Sequence, residues 1–132
     1  MYGPKDDKNK FVMWLIDSLL REVPEIKLTK GEQKRDFIYV DDVVSAYLTV
    51  IKNIPNIKFE EFEIGTGITI SLKSFILQIK KSIEKSQQKK IKTKLNFGAL
   101  PYRIGEPMEI KANIDNMRYN YGWNPETHID EG

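Results

Sequence analysis

The stretch Gln33-Lys34-Arg35-Asp36-Phe37-Ile38-Tyr39-Val40-Asp41-Asp42-Val43 places an arginine ahead of a run of strand formers and a pair of aspartates behind it. Phe37 to Val40 is continuously apolar and too short for a helix, so it reads as a strand. Asp41 or Asp42 can cap the helix that follows, in which Val43, Val44, Ala46, Tyr47, Val50 and Ile51 keep the helical period as far as Pro55. A fixed cation thus stands at one lip of a strand and a helix N-terminus at the other. Many folds meet phosphorylated small molecules with this arrangement.

Outward from that centre, helices and short strands alternate without repeats. Phe11, Val12, Leu15, Ile16, Leu19 and Leu20 recur at helical spacing, and Pro24 bars Val23 from continuing the helix. Ile26-Lys27-Leu28 reads as a short extended piece followed by a turn at Lys30-Gly31-Glu32. Phe62-Glu63-Ile64 reads as a second short strand, stopped by Gly65-Thr66-Gly67. Ser71 can cap a helix striped by Leu72, Phe75, Ile76, Ile79 and Ile83. Ile91, Thr93 and Leu95 alternate with polar residues as in a half-exposed strand, and Asp115 can cap a last short helix ending near Gly122. The expected architecture is a mixed α/β layer in one domain spanning residues 1–132.

Composition narrows the function classes. With 40% hydrophobic residues and 11% aromatics the 132-residue chain has material for a folded core, and a formal net charge of +2 gives no strong overall field for steering a partner. The absence of cysteine excludes disulfides, thiolate metal sites and a cysteine nucleophile. No apolar run reaches membrane-spanning length and Met1 to Asp7 does not look like a signal peptide, so a soluble cytoplasmic protein is expected. His128 is the only histidine, and no metal site is expected.

Five blocks in order carry a resemblance to a known family. Tyr2-Gly3-Pro4, the helix from Phe11 to Leu20, Arg35 to Val43, Phe62-Glu63-Ile64-Gly65-Thr66-Gly67, and Asn113-Ile114-Asp115-Asn116 with Tyr121-Gly122-Trp123-Asn124-Pro125 resemble successive motifs of the extended short-chain dehydrogenases, the NAD-dependent epimerase/dehydratase family. Ala99-Leu100-Pro101-Tyr102-Arg103 with Gly105-Glu106-Pro107-Met108 is most similar to CDP-sugar reductases of the abequose and paratose synthase type. Ile110-Lys111-Ala112-Asn113 departs from the arginine-rich element of the dehydratases, which favours a 4-keto reductase or epimerase of deoxysugar biosynthesis.

The resemblance implies the C-terminal part of a Rossmann-type enzyme, comprising a substrate-binding lobe with the last strands and helices of the doubly wound sheet. Such an enzyme binds NAD or NADP through a glycine-rich turn and moves protons with a tyrosine four residues before a lysine. This chain has neither motif, so it is expected to carry no catalytic residue, to hold no cofactor and to be inactive alone. Its expected ligand is a nucleotide-diphosphate sugar. Arg35 and Arg103 are the candidates for a phosphate clamp, because arginine offers two parallel charge-assisted hydrogen bonds. Tyr102 can pack on sugar or base, Lys10 and Phe11 stand where the family lines its base pocket, and Tyr2 and Gly3 would border the sugar.

An exposed sheet edge or apolar face is expected to permit homo-oligomers. Two other classes remain in view. One is an interaction or regulatory module that kept the lobe and lost the enzyme. The other is a nucleic-acid binder, suggested by Lys80, Lys81, Lys85, Lys89, Lys90, Lys92 and Lys94 but disfavoured because these lysines decorate the outer side of an amphipathic helix.

Overall fold

The computed structural model describes residues 1–54, 59–129 and 131–132; the expected helix break at Pro55 lies outside them. Among the described residues there are four α-helices, α1 (Phe11–Leu20), α2 (Val40–Asn53), α3 (Leu72–Gln87) and α4 (Asp115–Tyr121). Five short strands accompany them: β1 (Glu25–Leu28), β2 (Lys34–Arg35), β3 (Ile70–Ser71), β4 (Lys94–Phe97) and β5 (Glu109–Ile110). The chain forms two compact units. The first contains residues 1–4, 35–69 and 110–132, and the second residues 5–34 and 70–109. No helix among the described residues is long and apolar enough to cross a membrane.

The second unit is built on a parallel pair, β1 against β4, with Glu25 opposite Lys94 and Leu28 opposite Phe97. Alternation in β1 buries Ile26 and Leu28 and leaves Glu25 and Lys27 exposed. The stripes of α1 and α3 supply Leu15, Leu19 and Ile76, all fully buried, and Ile91 closes the cluster. Each such side chain contributes about 1.5–3 kcal/mol by burial. Ser71 caps α3 as expected, its hydroxyl accepting the Ser74 N–H at 3.1 Å. Gly31, with φ of 73°, lets the turn after β1 approach the start of α3, where its carbonyl accepts the Lys73 N–H at 2.9 Å.

The first unit has its own core of Ile38, Ala46, Ile114, Met117 and Trp123. Trp123 donates its indole N–H to Ser45 at 2.8 Å, and α4 stops at Gly122 in the left-handed region. Several local expectations are corrected here. Phe37 to Val40 is not a strand: the tract forms an isolated bridge with Tyr2, whose N–H donates to Ile38 and whose carbonyl accepts from Val40. Phe62-Glu63-Ile64 likewise makes no strand among the described residues. Strand β4 begins at Lys94, after the alternating Ile91 and Thr93.

Neither Asp41 nor Asp42 caps α2, because the helix starts at Val40 and Tyr39 stands at the cap without a side-chain bond. Asp42 is buried and accepts the backbone N–H groups of Glu126 and Thr127 at 2.9 and 3.1 Å. Asp115 is the first residue of α4 and not its cap; Asn113 accepts its N–H at 3.1 Å. Helix α2 turns Ala46, Val43 and Val50 inward, while Val44, Tyr47, Leu48 and Ile51 lie exposed on the other side.

Candidate functional site

A cavity of about 460 Å³ opens in the second unit beside the carboxyl ends of β1 and β4. The location follows from parallel pairing, which sends both strands out at the same end, where the loops that follow them can frame a ligand. The segment after β1 contributes Thr29 and Gln33, and the segment after β4 contributes Leu100, Pro101, Tyr102 and Arg103. Gly98, with φ of 87°, turns the chain so that Gly98 and Leu100 both donate N–H bonds to the Leu28 carbonyl at 3.0 Å. Helix α1 adds Phe11 and Trp14, three residues apart on one face, with ring centroids 5.9 Å apart.

Tyr102 fastens one wall to the other. Its hydroxyl accepts the Glu32 N–H at 3.1 Å and donates to the Glu32 carboxylate at 3.0 Å. Desolvation at the wall, together with the adjacent Glu32 carboxylate, pushes the Tyr102 hydroxyl above the usual tyrosine range. The tyrosine therefore stays neutral at physiological pH and serves as a tether. Arg103 is exposed at the rim, and its guanidinium has no partner among the described residues. The wall thus offers stacking surface, a tethered phenol and an available bidentate cation. That set suits a planar ring joined to an anionic group.

Of the residues singled out from sequence, Phe11, Tyr102 and Arg103 share this cavity. Lys10 pairs with Asp6 at 2.8 Å, an i,i+4 bridge on the surface. Tyr2, Gly3 and Arg35 belong to the first unit. There Tyr2 is buried edge-on to Tyr39 at 5.6 Å, and Gly3 exists for close packing, since a Cβ would stand 2.4 Å from Val40 Cγ1. Arg35 lies half-buried on β2. Sequence reading missed Trp14 and Gln33. Trp14 announces itself by keeping the Phe11 helical register while 42% exposed, an unusual position for so large an apolar ring.

The lysines of α3 and the following segment are largely engaged. Lys89 pairs with Glu22, Lys90 with Glu84 and Lys94 with Glu25, and Lys80 donates to the Thr93 carbonyl. Lys80 lies on α3 and the other three lie after its end, ion-paired to carboxylates, and no aromatic residue stands among residues 80–94 to stack bases. Among the described residues no cluster of three or more acidic or histidine side chains is placed to hold a metal.

The first unit has a second cavity of about 570 Å³ between the 66–68 turn and the 111–118 segment. Several of its polar groups are already bonded within the protein: Thr66 to Asp36, Asn113 to the Asp115 N–H, and Arg118 to Asn124.

Residues 1–65 match the model of the NAD dependent epimerase/dehydratase family. Over its whole length the chain is 38% identical to CDP-abequose synthase of Salmonella typhimurium, of which it covers 43%. The chain resembles the NAD dependent epimerase/dehydratase family from end to end. Solved relatives include the UDP-glucose 4-epimerase of Thermotoga maritima with UDP-glucose, 26% identical at a TM-score of 0.80. Another is UDP-glucuronic acid 4-epimerase of Bacillus cereus with UDP-glucuronic acid and NAD, 26% identical at a TM-score of 0.76. Each is matched over 99% of this chain and about 40% of its own. The expected α/β class of Rossmann-type enzymes is thereby shown, and the chain spans less than half the length of the relatives it matches.

The family's dinucleotide requires backbone N–H groups free to meet a pyrophosphate. The one glycine turn that resembles such a site, Gly65-Thr66-Gly67, does not fit: the Thr66 and Gly67 N–H groups donate to the Asp36 carboxylate at 2.8 and 2.9 Å. A side chain of this protein already holds the position an anion would take. No cofactor chemistry is assigned to these residues.

Proposed function

We propose that this chain is the sugar-nucleotide-binding portion of an NAD(P)-dependent nucleotide-sugar 4-reductase or epimerase, the whole protein carrying its cofactor turn and proton-transfer residues outside these 132 residues. The reading is carried by the cavity at the carboxyl ends of β1 and β4, where Arg103 stands beside the Phe11–Trp14 wall in a chain similar end to end to CDP-abequose synthase. Base or sugar packs against the rings, and the diphosphate draws the Arg103 guanidinium. Arg35 is the second candidate cation for the ligand. Lys10 and Tyr2 have less room for that role, since one is ion-paired and the other buried.

The chain alone binds without turning substrate over, because neither a tyrosine-lysine pair nor a free glycine turn is present to activate substrate or hold a dinucleotide. The exposed stripe of α2 gives copies of the chain a face through which to associate.

Calorimetric titration with CDP tests the reading. Arg103→Ala is expected to weaken binding about tenfold, the screened end of what two charge-assisted hydrogen bonds on an exposed side chain supply. An unchanged affinity in that variant removes Arg103 from the clamp.

A further inference from the structure

The segment that carries Arg103 is fastened to the body of the second unit along its length. At its start, Gly98 and Leu100 donate N–H bonds to the Leu28 carbonyl at 3.0 Å, and at its end the Lys34 N–H donates to the Met108 carbonyl at 2.8 Å. Arg103 itself opens a four-residue turn. Its carbonyl accepts the Glu106 N–H at 3.0 Å, and Gly105, third in the turn, has φ of 76°. One residue before it, the Tyr102 hydroxyl accepts the Glu32 N–H at 3.1 Å and donates to the Glu32 carboxylate at 3.0 Å. The phenol proton is therefore spent within the protein and is not available to a ligand.

We propose that Tyr102 is a positioning residue: by tying the backbone at 102 to Glu32, its hydroxyl presets Arg103 at the cavity rim for an anionic group. The inference rests on the reading of this cavity as the sugar-nucleotide site and adds to it the device that readies its cation. The Arg103 guanidinium is exposed and has no hydrogen bond or ion pair among the described residues, so its own side chain does not fix it. An arginine on a loose segment loses both backbone and side-chain freedom when it meets a phosphate. On a segment already tied down it loses the side-chain part alone, and the affinity is higher by the difference.

This role differs from the one that an aromatic ring on a cavity wall ordinarily takes. A ring that packs on sugar or base does so with or without its hydroxyl, whereas the tether is lost with that one atom. A residue that acts through Arg103 also has a ceiling on its effect. Removing it cannot cost more than removing Arg103.

The test is a double-mutant cycle in the 132-residue chain titrated with CDP, with backbone 15N relaxation recorded before any ligand is added. Tyr102→Phe keeps the ring and removes the hydroxyl, and should weaken CDP binding by about three- to tenfold, no more than Arg103→Ala does. In the Arg103→Ala background the same change should cost less than about twofold, because the two residues form one pathway. Glu32→Gln keeps an acceptor for the hydroxyl and sheds a negative charge, so it should bind CDP at least as well as the wild type. Without ligand, the amides of residues 102–104 should gain fast motion in Tyr102→Phe while the amide shifts of α1 and α3 stay in place.

Unchanged CDP affinity in Tyr102→Phe, a loss larger than that of Arg103→Ala, losses that multiply in the double variant, or unchanged motion at residues 102–104 each overturns the positioning role and leaves the sugar-nucleotide reading standing. Failure of the wild-type chain to bind CDP overturns that reading itself, and the relaxation measurement then still decides whether the hydroxyl holds the segment.

Discussion

Asp36 accepts four hydrogen bonds from the 66–67 turn and Ala112, and replacing it by alanine should destabilise the first unit. One carboxylate oxygen accepts the Thr66 N–H at 2.8 Å and the Thr66 hydroxyl at 2.6 Å. The other accepts the N–H groups of Gly67 at 2.9 Å and Ala112 at 3.4 Å. Gly65 is part of the same device, since a Cβ there would stand 2.4 Å from the Ala112 Cβ and 2.6 Å from Asp36 Oδ2. A hydrogen bond to a charged acceptor is worth ~1.5–3 kcal/mol, and water re-satisfies part of what a half-buried site loses. The expected net cost of Asp36→Ala is therefore about 3 kcal/mol, at the upper end for single substitutions.

With a urea dependence of about 2 kcal/mol per molar, that cost lowers the unfolding midpoint by about 1.5 M. The assay is urea unfolding followed by fluorescence, combined with amide hydrogen exchange at residues 66, 67 and 112. Exchange at these three amides should accelerate by a factor of 100 or more, given tenfold per 1.4 kcal/mol. A midpoint shift under about 0.3 M, or unchanged protection at Thr66 and Gly67, would refute the claim that this carboxylate holds the turn.

Two further outcomes follow from the same structure. The Lys89 ammonium and the Lys92 N–H hold the Glu22 carboxyl below its ordinary range, and the Ile91 N–H with Lys90 does so for Glu84. Because both folded values lie below the unfolded value of 4.5, their stabilisation is present above that pH and is lost as the pH falls through the folded values. The thermal midpoint of the chain should drop on acidification below pH 4.5, and Glu22→Gln should flatten that drop while lowering the plateau near neutrality. On α2, Leu48→Lys removes one member of the exposed stripe of Val44, Tyr47, Leu48 and Ile51. It should leave the unfolding free energy within about 0.5 kcal/mol and shift light-scattering mass toward the monomer; no change in mass at any concentration would exclude this face from self-association.

Legibility in the sequence divided along the range of the interactions. The Ser71 cap and the Gly122 helix end are readable because each depends on neighbours within a few residues, and β1 is readable from its own alternation although its partner β4 lies about 70 residues on. The tract from Phe37 to Val40 has strand composition, but a strand needs a partner, and Tyr2 is what this chain supplies. Asp42 looked like a helix cap because the cap pattern is local, whereas its real ligands are backbone groups 84 and 85 residues away.

The site shows the same division. Phe11, Tyr102 and Arg103 were singled out and do meet, yet nothing in their spacing said that the loops after β1 and β4 would face each other. That depends on the parallel register of Leu28 with Phe97. Gln33 stands at the start of the 33–43 stretch, and nothing local marks it as buried, because Thr29 and Leu72, outside that stretch, are what fix it.

The central claim, that the cavity of the second unit receives a sugar nucleotide, is tested most directly by titrating 15N-labelled protein with a CDP-sugar and mapping the amide shifts. Saturable shifts should concentrate at Trp14, Gln33, Leu100, Tyr102 and Arg103, the residues of that wall. An absence of shifts there up to on the order of 1 mM ligand, or shifts confined to Thr66, Lys111 and Arg118 around the other cavity, would contradict the account.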